Sequence, residues 1–285
     1  MTSRVVPTMR RRRLGELLRK AREDKGLGVD EVAAKFEWSG SKVYRIERAA
    51  QGIAVSDARL LLDLYGVAGD RQEEVLALVR EAKRRGWWHS YTDALPEPFA
   101  AFVGLEQDAA SVGKYSSELI PGLLQTEHYA RTIRRAALLS DTEETAERWL
   151  EVRARRQERL RGDHPLSYWV VLSEAVIRRV VGSPQVMREQ LRKLLDLADL
   201  PNITVQVLPF EVGAHAAIGS AFTVVRFPEK AAPDVVYVEL PMSCVYVEQE
   251  GQVERYNLIF DHVRASALDP HRSASMIASA AENLG

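Results

Sequence analysis

Between Arg12 and Lys25 the apolar residues Leu14, Leu17, Leu18 and Ala21 recur at the spacing of one helical face, and Gly26 stops the run. A second helix is expected from about Val29 to Phe36. It turns Val32, Ala33 and Phe36 inward and puts Asp30 and Glu31 in its first turn, where the helix dipole favours anions. Ser39 suits the N-cap of a third helix, with Val43 and Ile46 as its inward pair. Val55 to Tyr65, closed by Gly66, makes a fourth, and Asp70 to Arg85 a fifth. Two short helices across a tight break form the helix-turn-helix pattern, whose second helix enters the major groove. No strand signal interrupts this stretch, so an all-α five-helix head is expected over residues 1–86.

The pattern then changes. Pro96 and Pro98 mark residues 87–99 as a linker or strap rather than regular structure, with Trp87 and Trp88 buried at a junction. Phe102, Leu105, Ala109 and Val112 read as one helix, Tyr115 to Leu119 as a short strand, and 127–139 and 142–161 as helices. The last of these has Asp141 with Glu144 as a capping box. A strand at Ser167 to Leu172 precedes helices at Glu174 to Val181 and Pro184 to Leu197. Ile203 to Val207, Phe222 to Phe227, Val235 to Leu240 and Cys244 to Glu248 are β-branched or aromatic runs between turn residues. Helices at Val253 to Ala267 and Pro270 to Ala281 follow. The expectation for residues 100–285 is a larger α+β domain with a mostly C-terminal strand cluster.

Charge changes the picture more than composition does. The chain of 285 residues carries a formal charge of −1, which by itself argues against a nucleic-acid partner. Residues 1–90, however, hold 19 Lys and Arg against 13 Asp and Glu, and the remainder holds 20 against 27. The total therefore hides a net +6 head and a net −7 body, and a basic module is the electrostatic footprint of phosphate binding. Cys244 is the single cysteine, which excludes an intrachain disulfide and multi-cysteine zinc sites. No segment is apolar enough to span a bilayer, so a cytoplasmic protein without membrane contact is expected.

Residues 10–66 resemble the DNA-binding domain of Xre/Cro/C1-type regulators through Leu17, Arg22, Val32-Ala33, the stretch Ser39 to Ile46, Glu47 and Leu64-Tyr65-Gly66-Val67. The resemblance implies an ion pair between Arg22 and Glu47 that ties helix 1 to the end of the recognition helix. It places base reading on Gly40, Ser41 and Arg45, and an arginine can grip guanine O6 and N7 with both arms. Ser39, Lys42 and Tyr44 are better placed for phosphates, which position the helix without reading sequence. The chain departs from the pattern at Val29, at Gly40, and at Glu37 and Ala49, where glycine is usual. Arg10 to Arg13 read equally as an arm toward the DNA backbone or as a solvated start to helix 1.

Residues from about 87 to 282 resemble the DUF5753 domain that follows such heads in actinobacterial regulators. The resemblance rests on Ile120-Pro121-Gly122-Leu123-Leu124-Gln125-Thr126 with Tyr129-Ala130, on Ser173 to Arg179 with Gly182, and on His215 with Gly219 to Phe222. It implies a developmental or antibiotic-type regulator, often paired with a small DUF397-type protein. A homodimer on an inverted-repeat operator in double-stranded DNA is expected, controlled by that partner or by a small-molecule effector.

The candidate polar set of the second domain is Glu106, Gln125, Glu174, Arg178, His215 and Glu239. Of these, Gln125, Glu174, Arg178 and His215 are the candidate ligand or partner pocket. Glu174 and Arg178, four apart, form either an exposed ion pair or a carboxylate-binding fork. His215 sits in a glycine- and alanine-rich loop, either a lid or plain surface. No nucleophile–base, phosphate-loop or metal-ligand spacing occurs, so no enzyme, cofactor or metal is expected, with a hydrolase-like body or an antitoxin-like neutraliser as alternatives.

Overall fold

The computed structural model describes residues 9–82, 86–91, 93–137, 142–228, 233–240 and 243–284. Its contacts divide the chain into two compact units. One runs to Ser90 and includes Glu97–Leu105; the other comprises Tyr91–Pro96 and the described chain from Glu106 on.

In the first unit the five helices form where apolar spacing demands them: α1 Met9–Asp24, α2 Val29–Lys35, α3 Gly40–Glu47, α4 Val55–Tyr65 and α5 Gly69–Ala82. Leu18, Val32, Val43, Leu61, Leu62 and Leu76 are sealed into one core. The Arg11 to Arg13 stretch lies within α1, with Arg11 and Arg12 half-buried and Arg13 exposed. Gly28 precedes α2, and its N–H donates to Glu31 Oε2 at 2.6 Å. Gly66, with φ 77°, ends α4 in the left-handed region, where glycine carries no Cβ penalty.

The two positions where glycine is usual, Glu37 and Ala49, are the non-glycine residues with positive φ among those described, at 55° and 57°. A side chain there costs roughly 1–2 kcal/mol relative to right-handed backbone. Glu37 is exposed, so nothing offsets that cost. Glu37→Gly is expected to stabilise the head by about 1 kcal/mol, after allowing for glycine's greater unfolded-state freedom. A urea midpoint for the head that is unchanged or lower would refute this. Ala49 is buried, and there the lost methyl contact offsets the gain.

The linker expected around Pro96 and Pro98 is instead regular structure: Trp87–Tyr91 forms a 3-10 turn and α6 spans Glu97–Asp108. Pro98 falls in the first turn of α6, where its missing N–H is no loss. Trp88 is buried, and Gly104 leaves room for its ring.

The second unit is built on a six-stranded mixed sheet of order β3-β2-β1-β4-β5-β6. The strands are β1 Ser111–Ser116, β2 Ser167–Ser173, β3 Ile203–Leu208, β4 Phe222–Arg226, β5 Val235–Leu240 and β6 Ser243–Val247. β1, β2 and β3 run parallel, and β4, β5 and β6 extend the other side antiparallel. The helices are α7 Glu127–Ala136, α8 Glu143–Gln157, α9 Glu174–Arg178, α10 Pro184–Ala198, α11 Glu250–Ser266 and α12 Pro270–Glu282. Asp141, the expected cap of α8, lies outside the described residues; Thr142 caps the helix, its Oγ1 accepting from Thr145 N at 3.1 Å. β1 is central and begins at Ser111, where the apolar spacing still follows the helical period, so Val112 is strand rather than helix. One face of the sheet packs Tyr115, Val171, Phe222, Val224 and Val236 against Val253, Phe260 and Val263 of α11. The opposite face carries the polar groups described below.

Candidate nucleic-acid interface

Burial alternates along α3 with the helical period. Val43, Ile46 and Glu47 point inward, while Ser41, Tyr44, Arg45 and Arg48 form one exposed stripe along α3 and its C-cap. Arg45 Nε donates to Gln51 Oε1 at 3.1 Å on the exposed side. Arg48 lies over the Tyr44 ring at 4.9 Å, adding a second cation to the stripe. Arg48 was absent from the sequence-based set, although it stands seven residues after Ser41 and so shares its face.

The other expected contacts do local work. Ser39 Oγ accepts from Lys42 N at 3.2 Å and meets Ser41 Oγ at 3.1 Å, which fixes the start of α3. Lys42 sits 3.5 Å over the Trp38 ring, and its Nζ pairs with Asp57 Oδ2 at 2.9 Å. A phosphate at Lys42 would therefore compete with an existing carboxylate. Beside Gly40, the space a side chain would occupy holds the Asp30 carboxylate.

The stripe is held rigidly from behind. Arg22 Nε and Nη2 donate to the two Glu47 oxygens at 2.6 and 2.9 Å, and both residues are buried. Arg22 Nη1 also donates to Leu27 O at 2.8 Å, beyond the end of α1. The Glu47 hydrogen bonds raise the Arg22 pKa above its ordinary value, outweighing burial. Sequence reading missed Gly15 altogether. A Cβ there would lie 2.3 Å from Glu47 O, so α1 and the end of α3 approach backbone to backbone. A glycine inside a helical stripe is the only signal it leaves in sequence.

In the second unit the four candidate pocket residues do not converge. Gln125 Nε2 donates to Ile120 O at 2.6 Å, and its Oε1 accepts from Arg153 Nη1. Glu174 is not in an exposed pair: its carboxylate is buried, accepting from Arg178 Nε at 3.1 Å and from Phe210 N at 2.9 Å. Arg178 stays half-exposed as its partner. His215 meets Tyr115 Oη through Nε2 at 3.3 Å and accepts from Ala217 N at Nδ1. Burial lowers its pKa below the ordinary value. Glu174 and His215 both fasten the loop that follows β3, while Gln125 belongs to a separate network with Arg153, Gln157 and Lys193.

That network adjoins a set of cations the sequence did not reveal. Arg156 on α8 grips Glu106 with both arms, Nε to Oε1 at 2.7 Å and Nη2 to Oε2 at 2.8 Å, and both residues are buried. Burial lowers the Arg156 pKa, but the charge and hydrogen bonds of Glu106 outweigh it and the net shift is upward. Lys114 on β1 donates to Thr223 Oγ1 at 3.2 Å. Burial above all, with repulsion from Arg156 and Arg153, lowers the Lys114 pKa. Burial and the Arg156 charge push the Arg153 guanidinium down to about 9, so it remains charged at neutral pH. Gly122 stands where a Cβ would come 2.9 Å from Arg153 Nη1, so the Ile120-to-Thr126 segment is shaped around this arginine. Among the described residues no group of three or more His, Cys, Asp or Glu could hold a metal ion, and no helix is long and apolar enough to cross a membrane.

A family model described as Domain of unknown function (DUF5753) matches residues 99–279, and one described as Helix-turn-helix domain matches residues 13–75. No curated protein and no solved structure matches the chain.

Proposed function

We propose, from the premise that the chain belongs to the DUF5753 family and carries a helix-turn-helix DNA-binding domain, that it is an Xre-type, sequence-specific regulator of transcription. In this reading α3 enters the major groove and the DUF5753 domain sets its activity by binding an effector or a small partner protein of the DUF397 type. The observation that carries the reading is the exposed stripe Ser41, Tyr44, Arg45 and Arg48 on a helix locked from behind by Arg22 and Glu47. A rigid helix presenting two arginines, a hydroxyl and an aromatic hydroxyl supplies both base-edge and phosphate contacts. The body is the sensor rather than an enzyme, and the protein works in the cytoplasm as a homodimer on an inverted repeat. Its half-sites then lie about 34 Å, or a multiple of that, apart.

Selection of bound sequences from a random duplex pool, followed by Arg45→Ala, tests this. The variant is expected to lose about 1–3 kcal/mol on the preferred site and to tolerate other bases at one position of each half-site. Equal weakening on every sequence would make Arg45 a phosphate contact. Failure to enrich any sequence would remove the regulator reading itself.

A further inference from the structure

The sheet register assembles a polar face. Lys114 pairs with Thr223, Thr223 with Tyr237 and Tyr237 with Tyr246, so these four cross the sheet from β1 to β6 in one row on the same face. Tyr168 on β2 shares that face, two positions from Lys114 in the β1–β2 register. The face also receives the charge of Arg153 and Arg156 from α8, of Glu106, and of Glu239 near the end of β5.

The charges do not balance within it. Glu106 is consumed by both arms of Arg156. Glu239 is exposed and attracts Lys114 and Arg153 from a distance, but forms an ion pair with neither. Lys114 has a hydroxyl for a partner and Arg153 an amide oxygen, and no carboxylate among the described residues pairs with either. Arg153 Nε is buried without any acceptor. The Arg153 guanidinium is also stacked 3.9 Å over the Trp149 ring, which fixes its plane. A half-buried cation with no carboxylate paired to it is costly, and an apolar side chain of similar length would serve the fold as well. Two such cations on one face, one pre-oriented by an aromatic ring, are the arrangement that receives an anion.

We propose that this polar face of the sheet is a binding site for a small ligand carrying one oxyanion group, a carboxylate or a phosphate, held by Lys114 and Arg153. As the effector site of the body it rests on the regulator reading, but the binding itself does not.

The test uses the full chain without DNA. Thermal unfolding and calorimetric titration are run with inorganic phosphate and with acetate, each against sodium chloride at equal ionic strength. At least one of the two anions is expected to raise the melting temperature of the second unit saturably, and the arm that does so identifies the group. Lys114→Met and Arg153→Met are each expected to weaken that response at least about tenfold, because each removes a charge-assisted hydrogen bond. Without added anion, both variants are expected to melt at or above the wild-type temperature, because a half-buried charge with no carboxylate partner has gone. Variants that melt lower with no anion present would make the two cations structural. No saturable response to either anion, or an unchanged response in the variants, would overturn the site. The DNA-selection experiment is unaffected by any of these results, so failure here and failure of the regulator reading are distinguishable.

Discussion

Glu47→Ala is expected to unfold the head while the body keeps its own transition. The substitution removes the carboxylate to which both Nε and Nη2 donate, leaving Leu27 O as the hydrogen-bond acceptor and Glu23, 3.7 Å from Nη2, as the nearby carboxylate. Removing one partner of a buried pair costs about 3–5 kcal/mol. A small domain has about 5–15 kcal/mol in all, so most of the stability of the head is at stake. Glu47 also ends α3, and its backbone carbonyl is the surface on which Gly15 rests, so loosening it frees both helices together. The readout is a calorimetric scan in which the head transition shifts down or vanishes, with DNA retention lost at the same time. The double variant Arg22→Met with Glu47→Leu is expected to recover the transition, since replacing both charges by apolar groups is often neutral or better. If Glu47→Ala shifted the head by less than about 1 kcal/mol, the value of an exposed pair, the lock would be no more than a surface contact.

How much of this was legible in the sequence depends on how local the cause is. The pair Arg22 and Glu47, on α1 and α3, could be anticipated because the resemblance to Xre-type DNA-binding domains implies it. The departures at Glu37 and Ala49, where the resemblance makes glycine usual, fall on the two non-glycine positions of left-handed backbone among the described residues. In the body, local pattern stops being informative at β1. The apolar spacing from Phe102 to Val112 continues a helical period past Asp108, where α6 ends. β1 itself, with Gly113 and Lys114 at its centre, carries no strand signature. What makes it a strand is pairing with residues 167–172 and 222–226, which no local window contains. The same distance hid the cation cluster, since Lys114 and Arg153 look like ordinary surface charges until the sheet and α8 bring them together. For Glu174 the spacing to Arg178 was sound, but the burial of its carboxylate comes with Phe210 N, 36 residues away in sequence.

Glu106→Ala is expected to be the most damaging single change in the body. Like Glu47, it removes the carboxylate from a two-armed buried pair, at a cost of about 3–5 kcal/mol. The surroundings differ in a way that sets the upper end of that range. Arg22 would be left near Glu23, at 3.7 Å, whereas Arg156 would be left facing the like charges of Arg153 and Lys114. Three cations on one partly desolvated face repel one another as well as losing hydration. The body is therefore expected to lose its cooperative transition near physiological temperature while the head still melts as in wild type, the mirror image of Glu47→Ala. Two further measurements separate charge from packing. Arg156→Met combined with Glu106→Leu should restore the transition, because it removes the added repulsion and fills the volume. Inorganic phosphate should stabilise Glu106→Ala more than it stabilises wild type, because the freed Arg156 adds a third donor to the same face. If Glu106→Gln and Glu106→Ala were equally damaging and neither responded to phosphate or to loss of Arg156, the defect would lie in the shape of the side chain. The electrostatic account of this face would then fail.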